Sequence, residues 1–265
     1  MRSKGLIITL IILLVIIIVI LIGFLVLCLN GTINFNGGFR LFSGRKSDKI
    51  IYNETYNLED VNLINISQDA GDVIIENNEE NIIKVEVYGE DKEDVQITFG
   101  NNELNVEYKN KNSGFFNFNS TYGDIKIYAP ASFTGKIKIE NDAGETKISN
   151  FENANIELDC DAGNVRIDKV KNVKVKCDAG NVEIGTISNQ CDMKMNCGNL
   201  RVGEMNLNAD SYVKADMGNI NIKKINDIYV DAKADLGRCN IGKSVRSSNV
   251  TLSVDCDMGN IDIEK

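Results

Sequence analysis

From Asn141 to Lys265 the chain alternates apolar and polar residues, and the alternation is interrupted at regular intervals by a glycine. The interrupting phrase is Asp-Ala-Gly-Glu at Asp142 to Glu145 and Asp-Ala-Gly-Asn at Asp161 to Asn164 and at Asp178 to Asn181. Variants end at Asn199, Asn219, Arg238 and Asn260. The glycines are 144, 163, 180, 198, 218, 237 and 259, with steps of 19, 17, 18, 20, 19 and 22 residues. A fixed glycine at a period of about 20 residues marks a stacked repeat.

Two and four residues after each glycine stand apolar pairs: Val165 and Ile167, Val182 and Ile184, Leu200 and Val202, Ile220 and Ile222, Ile261 and Ile263. Five and seven residues before it stand others, such as Leu158 and Ile156 or Val254 and Leu252. Period-two alternation predicts half-buried strands, two per unit, joined at the glycine turn. Seven residues after the glycine, Phe151, Val170, Ile187, Met205 and Ile225 plug the far corner, and an Asn-rich second turn follows at Asn153, Asn172 and Asn189. One unit cannot bury its own apolar face, but stacking does so, with strands about 4.8 Å apart. Each buried Val or Ile contributes roughly 1.5–3 kcal/mol. The glycine is expected to supply positive φ, and the aspartate two residues before it to cap turn N–H groups. The fold class expected is all-β: a β-solenoid of stacked two-strand repeats of about 19 residues, preceded by one transmembrane α-helix.

The amino-terminal part divides by composition. Residues 1–4 are short and basic and read as a cytoplasmic tail, and 5–29 carry no charge over 25 residues, enough to span a bilayer as an uncleaved anchor. Residues 30–49, rich in Gly, Asn and Ser, read as a linker. Residues 50–121 form an amino-terminal β region capping the solenoid, and 122–265 hold the repeats. Within the cap, Ile64 to Ile75 is an early copy of the repeat, while 82–88, 95–99 and 103–108 are expected to make hairpins over the first coil. Phe115, Phe116 and Phe118 in the polar loop 110–120 are expected to pack on that cap. Arg2 and Lys4 favour the amino terminus inside the cell, with the carboxy-terminal domain outside.

Charge and chemistry narrow the function. Outside residues 1–29, 27 basic residues stand against 38 acidic ones, which argues against nucleic acid and favours cationic partners. The chain has no histidine, which excludes Ser-His-Asp, Cys-His and His-ligated metal chemistry. No cofactor and no catalytic residue is assigned. An all-carboxylate glycosidase is the enzyme alternative, but the acids recur at repeat positions rather than as one unusual pair. Of seven cysteines, Cys160, Cys177 and Cys256 stand three residues before a glycine, in one column with Ala215 and Ala234, and read as small buried hydrophobes. Asp69, Asp142, Asp161, Asp178, Asp216, Asp235 and Asp257 share the position two before the glycine, interrupted by Asn196. Either each caps its own turn, or pairs drawn from Asp142, Asp161, Asp178, Asp216, Asp235 and Asp257 bind Ca²⁺ loosely.

The hydrophobic stretch 5–29, the run Gly123-Asp-Ile-Lys-Ile-Tyr-Ala-Pro130 and the repeated Asp-Ala-Gly-Asn-Val-x-Ile units together resemble the bacterial "putative adhesin" family of β-strand-repeat, or toast-rack, domains. The resemblance runs from about Ile64 to the end. It implies a bacterial extracytoplasmic β-solenoid without catalytic residues, and a connection with cell-envelope stress-response systems, which several relatives accompany in Gram-positive bacteria.

The function expected is therefore a non-catalytic, membrane-anchored scaffold or accessory in cell-envelope stress sensing, contacting envelope proteins or cationic peptides. The alternative is a surface adhesin for glycan or host protein; Tyr212 and Tyr229 are the main aromatic residues in the repeats available to it. The carboxy-terminal edge of the solenoid, where the last coil ends after Ile263, has two readings: Asp262, Glu264 and Lys265 guard it, or it accepts a strand from a partner or a second copy, which would be self-association.

Overall fold

The computed structural model describes residues 45–109, 121–242 and 244–264. The expected membrane helix at 5–29, the linker up to Gly44 and the loop phenylalanines 115, 116 and 118 lie outside the described residues. Among the described residues no helix is long and apolar enough to cross a membrane. Two short 3₁₀ turns, Leu58–Asp60 and Lys92–Asp94, interrupt an otherwise all-β architecture.

The chain runs from β1 (Arg45–Lys46) and β2 (Ile50–Asn57) through β3 (Leu63–Gln68), β4 (Val73–Asn78) and β5 (Ile82–Tyr88) to β6 (Val95–Gly100) and β7 (Glu103–Tyr108). Then come β8 (Thr121–Tyr122), β9 (Ile125–Pro130) and β10 (Lys136–Ala143). Three long strands follow: β11 (Thr146–Ala162), β12 (Val165–Ala179) and β13 (Val182–Cys197). Last are β14 (Leu200–Met205), β15 (Ser211–Met217), β16 (Ile220–Ile222), β17 (Tyr229–Leu236), β18 (Cys239–Ile241), β19 (Thr251–Met258) and β20 (Ile261–Ile263). Each long strand leaves one glycine turn, bends at the far corner and ends at the next turn. The bends appear as register slips at Phe151/Asn155 and Val170/Asn172.

The stack is parallel and in register. Ile156 faces Val173, and Val173 faces Cys191; Val165 faces Val182, and Val182 faces Leu200. These alternate residues point inward and are buried, as are the corner plugs Phe151, Val170, Ile187, Met205 and Ile225. The core is thus a series of identical columns, each apolar layer closed by the layers above and below. The column three residues before the glycine holds Cys160, Cys177 and Cys256, as expected, and also Gln68, Asn141 and Met195, all buried. Its polar members donate to glycine carbonyls of the adjacent rung: Gln68 Nε2 to Gly123 O (2.7 Å), Asn141 Nδ2 to Gly71 O (3.4 Å) and Cys256 Sγ to Gly218 O (3.4 Å). At Gln68, Asn141 and Cys256 the side chain thus acts as a compact donor as well as a filler.

The glycine column has a stronger cause than backbone conformation. Gly144 has φ 143°, as expected, but Gly163 does not lie in the left-handed region. A Cβ on Gly163 would nevertheless sit 1.8 Å from the carbonyl oxygen of Gly144. The turns nest so closely that any side chain would occupy the neighbouring backbone.

Space and sequence order part company at both ends. β19 pairs with β15 on one side and β17 on the other, and β20 lies between β16 and β18. The last segment of chain is therefore interior, and the rung at the end is Tyr229–Leu236 with Cys239–Ile241. This corrects the expected position of the solenoid edge. The burial pattern supplies the reason: Leu252, Val254 and Cys256 are fully buried and need neighbours on both sides, whereas Ala232 and Ala234 are small and half-buried. At the other end β3 and β4 lie between β7 with β9 and β10 with β11, so the early repeat copy is the second rung. Glu103–Tyr108 joins the parallel stack while also forming a hairpin with β6 through Asn101 and Asn102, both at positive φ as a type I′ turn requires. Antiparallel β5 and β2 extend the other side beyond β9. Tyr56 and Phe99, with ring centroids 5.1 Å apart, bridge the two sides across this end.

Candidate functional site

The ridge beside the glycine turns carries the aspartates singled out by the sequence. Strand register places them in one line, in the spatial order Asp69, Asp142, Asp161, Asp178, Asn196, Asp216, Asp257, Asp235. Among the described residues none of these carboxylates accepts a turn N–H, in contrast to the capping expected. The acceptor is the residue after the glycine: Asn164 Oδ1 accepts the backbone N–H of Asn181 (3.2 Å) and its side-chain amide (3.3 Å). Asn181 serves Asn199 in the same way, Asn199 serves Asn219, and Asn219 serves Asn260. An asparagine ladder thus stitches the turns, and Asp72 Oδ1 does the same work for Glu145 N (3.0 Å). The recurrence of Asn directly after the glycine was the available signal.

Freed from capping, the aspartates face outward. Lys214 approaches Asp216 (3.0 Å) and Asp257 (3.7 Å), Lys233 approaches Asp235 (2.6 Å), and Asn196 donates to Asp178 (2.9 Å). Asp142 and Asp161 carry no ion pair among the described residues. Partial burial, followed by the charges of Asp161 and Asp69, pushes the Asp142 carboxyl above its ordinary range. At Asp142 the charges of Asp161 and Asp69 add a like-charge repulsion that a cation would relieve. For the six Ca²⁺ candidates, the structure spaces the carboxylates along a row. Among the described residues no group of three or more His, Cys, Asp or Glu side chains gathers as metal ligands would.

The sheet after the turn presents a different surface, which sequence reading missed. Gly185 and Gly203 fall side by side between the register pairs Ile184–Val202 and Thr186–Glu204. Without side chains there, the face sinks into a groove of about 350 Å³, walled by Arg166, Glu183, Arg201 and Lys223. Arg166 is shared between Glu183 (3.4 Å) and Glu145 (3.6 Å), while Arg201 and Lys223 carry no ion pair among the described residues. Paired glycines at one offset in consecutive units were the sequence signal.

A family model described as Toastrack DUF4097 matches residues 61–171 and 119–264. No curated protein matches the chain. Similar solved structures include a "putative adhesin" from Bacteroides fragilis NCTC 9343, 16% identical, with a TM-score of 0.49, covering 82% of this chain and 98% of that one. A "putative cell adhesion protein" from Clostridium sporogenes ATCC 15579 is 14% identical, with a TM-score of 0.42, covering 82% of this chain and 99% of that one. A "putative lipid binding protein" from Parabacteroides distasonis ATCC 8503 is 11% identical, with a TM-score of 0.41, covering 83% and 99%. The family matches span the whole of the parallel stack, and the chain belongs to the Toastrack DUF4097 family.

Proposed function

We propose that this protein is a non-catalytic recognition module, held at the cell envelope by residues 5–29 with its β stack outside the cell, and that the aspartate ridge engages cationic partners such as basic peptides or basic protein faces. The observation that carries this reading is the alignment of Asp69, Asp142 and Asp161 in consecutive rungs, with Asp142 titrating above its usual range. A partner bringing positive charge removes the mutual repulsion and gains from each carboxylate it meets. The test is calorimetric titration of an oligolysine peptide into the full chain in neutral detergent, at low and at high salt. Wild type should bind with an affinity that falls as salt rises, and Asp142→Asn with Asp161→Asn should weaken it severalfold. Absence of binding at low salt refutes the proposal.

The finer reading, an accessory of cell-envelope stress sensing, predicts that deleting the gene alters an envelope-stress reporter under cationic-peptide challenge. An unchanged reporter contradicts it. The adhesin reading is favoured by a separate observation, the glycine-floored groove. A carboxylated or sulfated glycan would lie flat over Gly185 and Gly203 and meet Arg201 and Lys223. Loss of polyanionic-glycan binding in Arg201→Ala with Lys223→Ala supports it, and equal binding by wild type and variant rejects it.

A further inference from the structure

The two ends of the stack are finished differently. At the amino-terminal end, antiparallel strands continue beyond the last parallel rung on both sides, and the Tyr56–Phe99 contact closes the gap between them. At the other end β17 pairs only with β19 and β18 only with β20 among the described residues. The larger part of the exposed bulky apolar surface collects here as well. Met217, Met258 and Leu236 are 46%, 47% and 69% exposed and stand in register on three adjacent rungs, with exposed Ile241 on the end rung. In place of the alanines of earlier units, this end of the turn ridge carries large side chains.

The edge is open over a limited length. The Ser244 hydroxyl accepts from Val230 N (2.9 Å) and donates to Val230 O (3.2 Å), and Val245 N donates to Ile228 O (2.8 Å). These contacts cover the start of β17. They also reveal its orientation: Val230 turns its backbone groups away from β19, and alternate residues share that direction. Ala232 and Ala234 therefore present theirs outward, the Ala232 carbonyl also meeting Cys239 Sγ at 3.8 Å. The Leu236 carbonyl turns back to accept from Gly259 N (3.0 Å), so the open stretch is Ala232–Asp235, around Ala234.

We propose that this stretch is a dimerisation edge for a second copy of the chain, with β17 pairing antiparallel to the β17 of the partner about a two-fold axis at Ala234. Charge complementarity selects both the occupant and the register. About that centre Lys233 faces the partner's Asp235 and Asp235 faces the partner's Lys233, while Leu236 faces the partner's Ala232. A shift that centres the pair on Lys233 would instead oppose like charges. The amino-terminal end finishes in the edge strands β2 and β6, which run antiparallel to their neighbours and carry no Lys-x-Asp pair about an alanine; the self-complementary pairing of β17 is isologous and closes the assembly at two chains. This inference is independent of the ridge and groove readings and survives the failure of either.

The test is the number of chains per particle, measured by sedimentation equilibrium of the full chain in density-matched detergent. Wild type should contain two chains. Lys233→Asp should contain one, because it sets acid against acid, and Lys233→Asp with Asp235→Lys should return to two. Ala234→Pro, which removes an outward N–H that β19 does not use, should also contain one, with a melting curve like that of the single-chain Lys233→Asp variant. Monomeric wild type overturns the proposal. So does a dimer indifferent to both Lys233→Asp and Ala234→Pro, or one that the charge swap fails to restore.

Discussion

Gly163→Ala isolates the nesting of the turns from any effect of backbone conformation, because Gly163 lies outside the left-handed region. The added Cβ would fall 1.8 Å from Gly144 O and 2.9 Å from Gly144 C. Ordinary contact needs roughly 3.5 Å, so the two rungs must part by about 1.5 Å at this corner. Parting weakens the bonds from Gly144 N to Ala162 O (3.1 Å) and from Thr146 N to Asn164 O (2.9 Å), each worth about 0.5–1.5 kcal/mol net. It also opens gaps around Cys160 and Val165, which are 1% and 0% exposed. The combined cost is about 3–5 kcal/mol, at the severe end for a single substitution. Gly100→Ala is the control: a Cβ there meets nothing within 4 Å, and the change should stay within about 0.5 kcal/mol. Urea unfolding of both variants beside wild type, followed by circular dichroism, gives the comparison. A cost below about 1 kcal/mol for Gly163→Ala would refute the claim that stacked backbones leave no room at this column.

Other consequences can be checked separately. Asn181→Ala deprives Asn199 of an acceptor for its backbone N–H and its side-chain amide; unfolding should show a loss of about 1–2 kcal/mol, and Asn181→Asp should recover part of it. Lys136, and then Lys174, hold the Glu157 carboxyl at about 2, below its ordinary 4.5. The stability it lends is present above pH 4.5 and lost as pH falls toward 2. Glu157→Gln should therefore flatten the acid limb of a melting-temperature profile, and an unchanged limb would argue against these pairs. A membrane-impermeant maleimide at pH 8 should label exposed Cys197 and Cys239 in the folded chain and leave Cys160, Cys177, Cys191 and Cys256 until unfolding. Burial pushes the Cys191 thiol up to about 12, so labelling of Cys191 as fast as Cys197 would contradict its placement.

The units themselves were legible because their determinants are local. Alternation, the glycine step and the corner plugs at Phe151, Val170 and Ile187 each act within one unit or on the next. The order of units at the ends was not legible, because the phrase around Gly259 suits an interior rung and a terminal rung equally. The clues were indirect: the step from Gly237 to Gly259 is the longest of the six, and the corner plugs stop at Ile225. The chain passes over one rung between Gly218 and Gly237, an ordinary step of 19, and the longer step of 22 brings it back. At the ridge, composition identified the aspartate column, but only the structure separates its outward charge from the turn bonding carried by the neighbouring asparagines. The glycine-floored groove escaped because Gly185 and Gly203 stand at positions that alternation assigns to polar residues; only the structure shows that a Cβ there would lie 2.3 Å from Asp168 O and 2.6 Å from Gly185 O.

Interstrand nuclear Overhauser contacts in the isotope-labelled chain test the stacking order most directly. The structure pairs Val213 with Val254, and Val254 with Ala232. Backbone contacts should therefore join Val213 to Val254 and Val254 to Ala232, each one strand spacing of about 4.8 Å apart, and none should join Val213 to Ala232 at about 9.6 Å. A direct Val213–Ala232 contact, with Val254 beyond Ala232, would restore sequence order and contradict the architecture on which the ridge and the dimer edge rest.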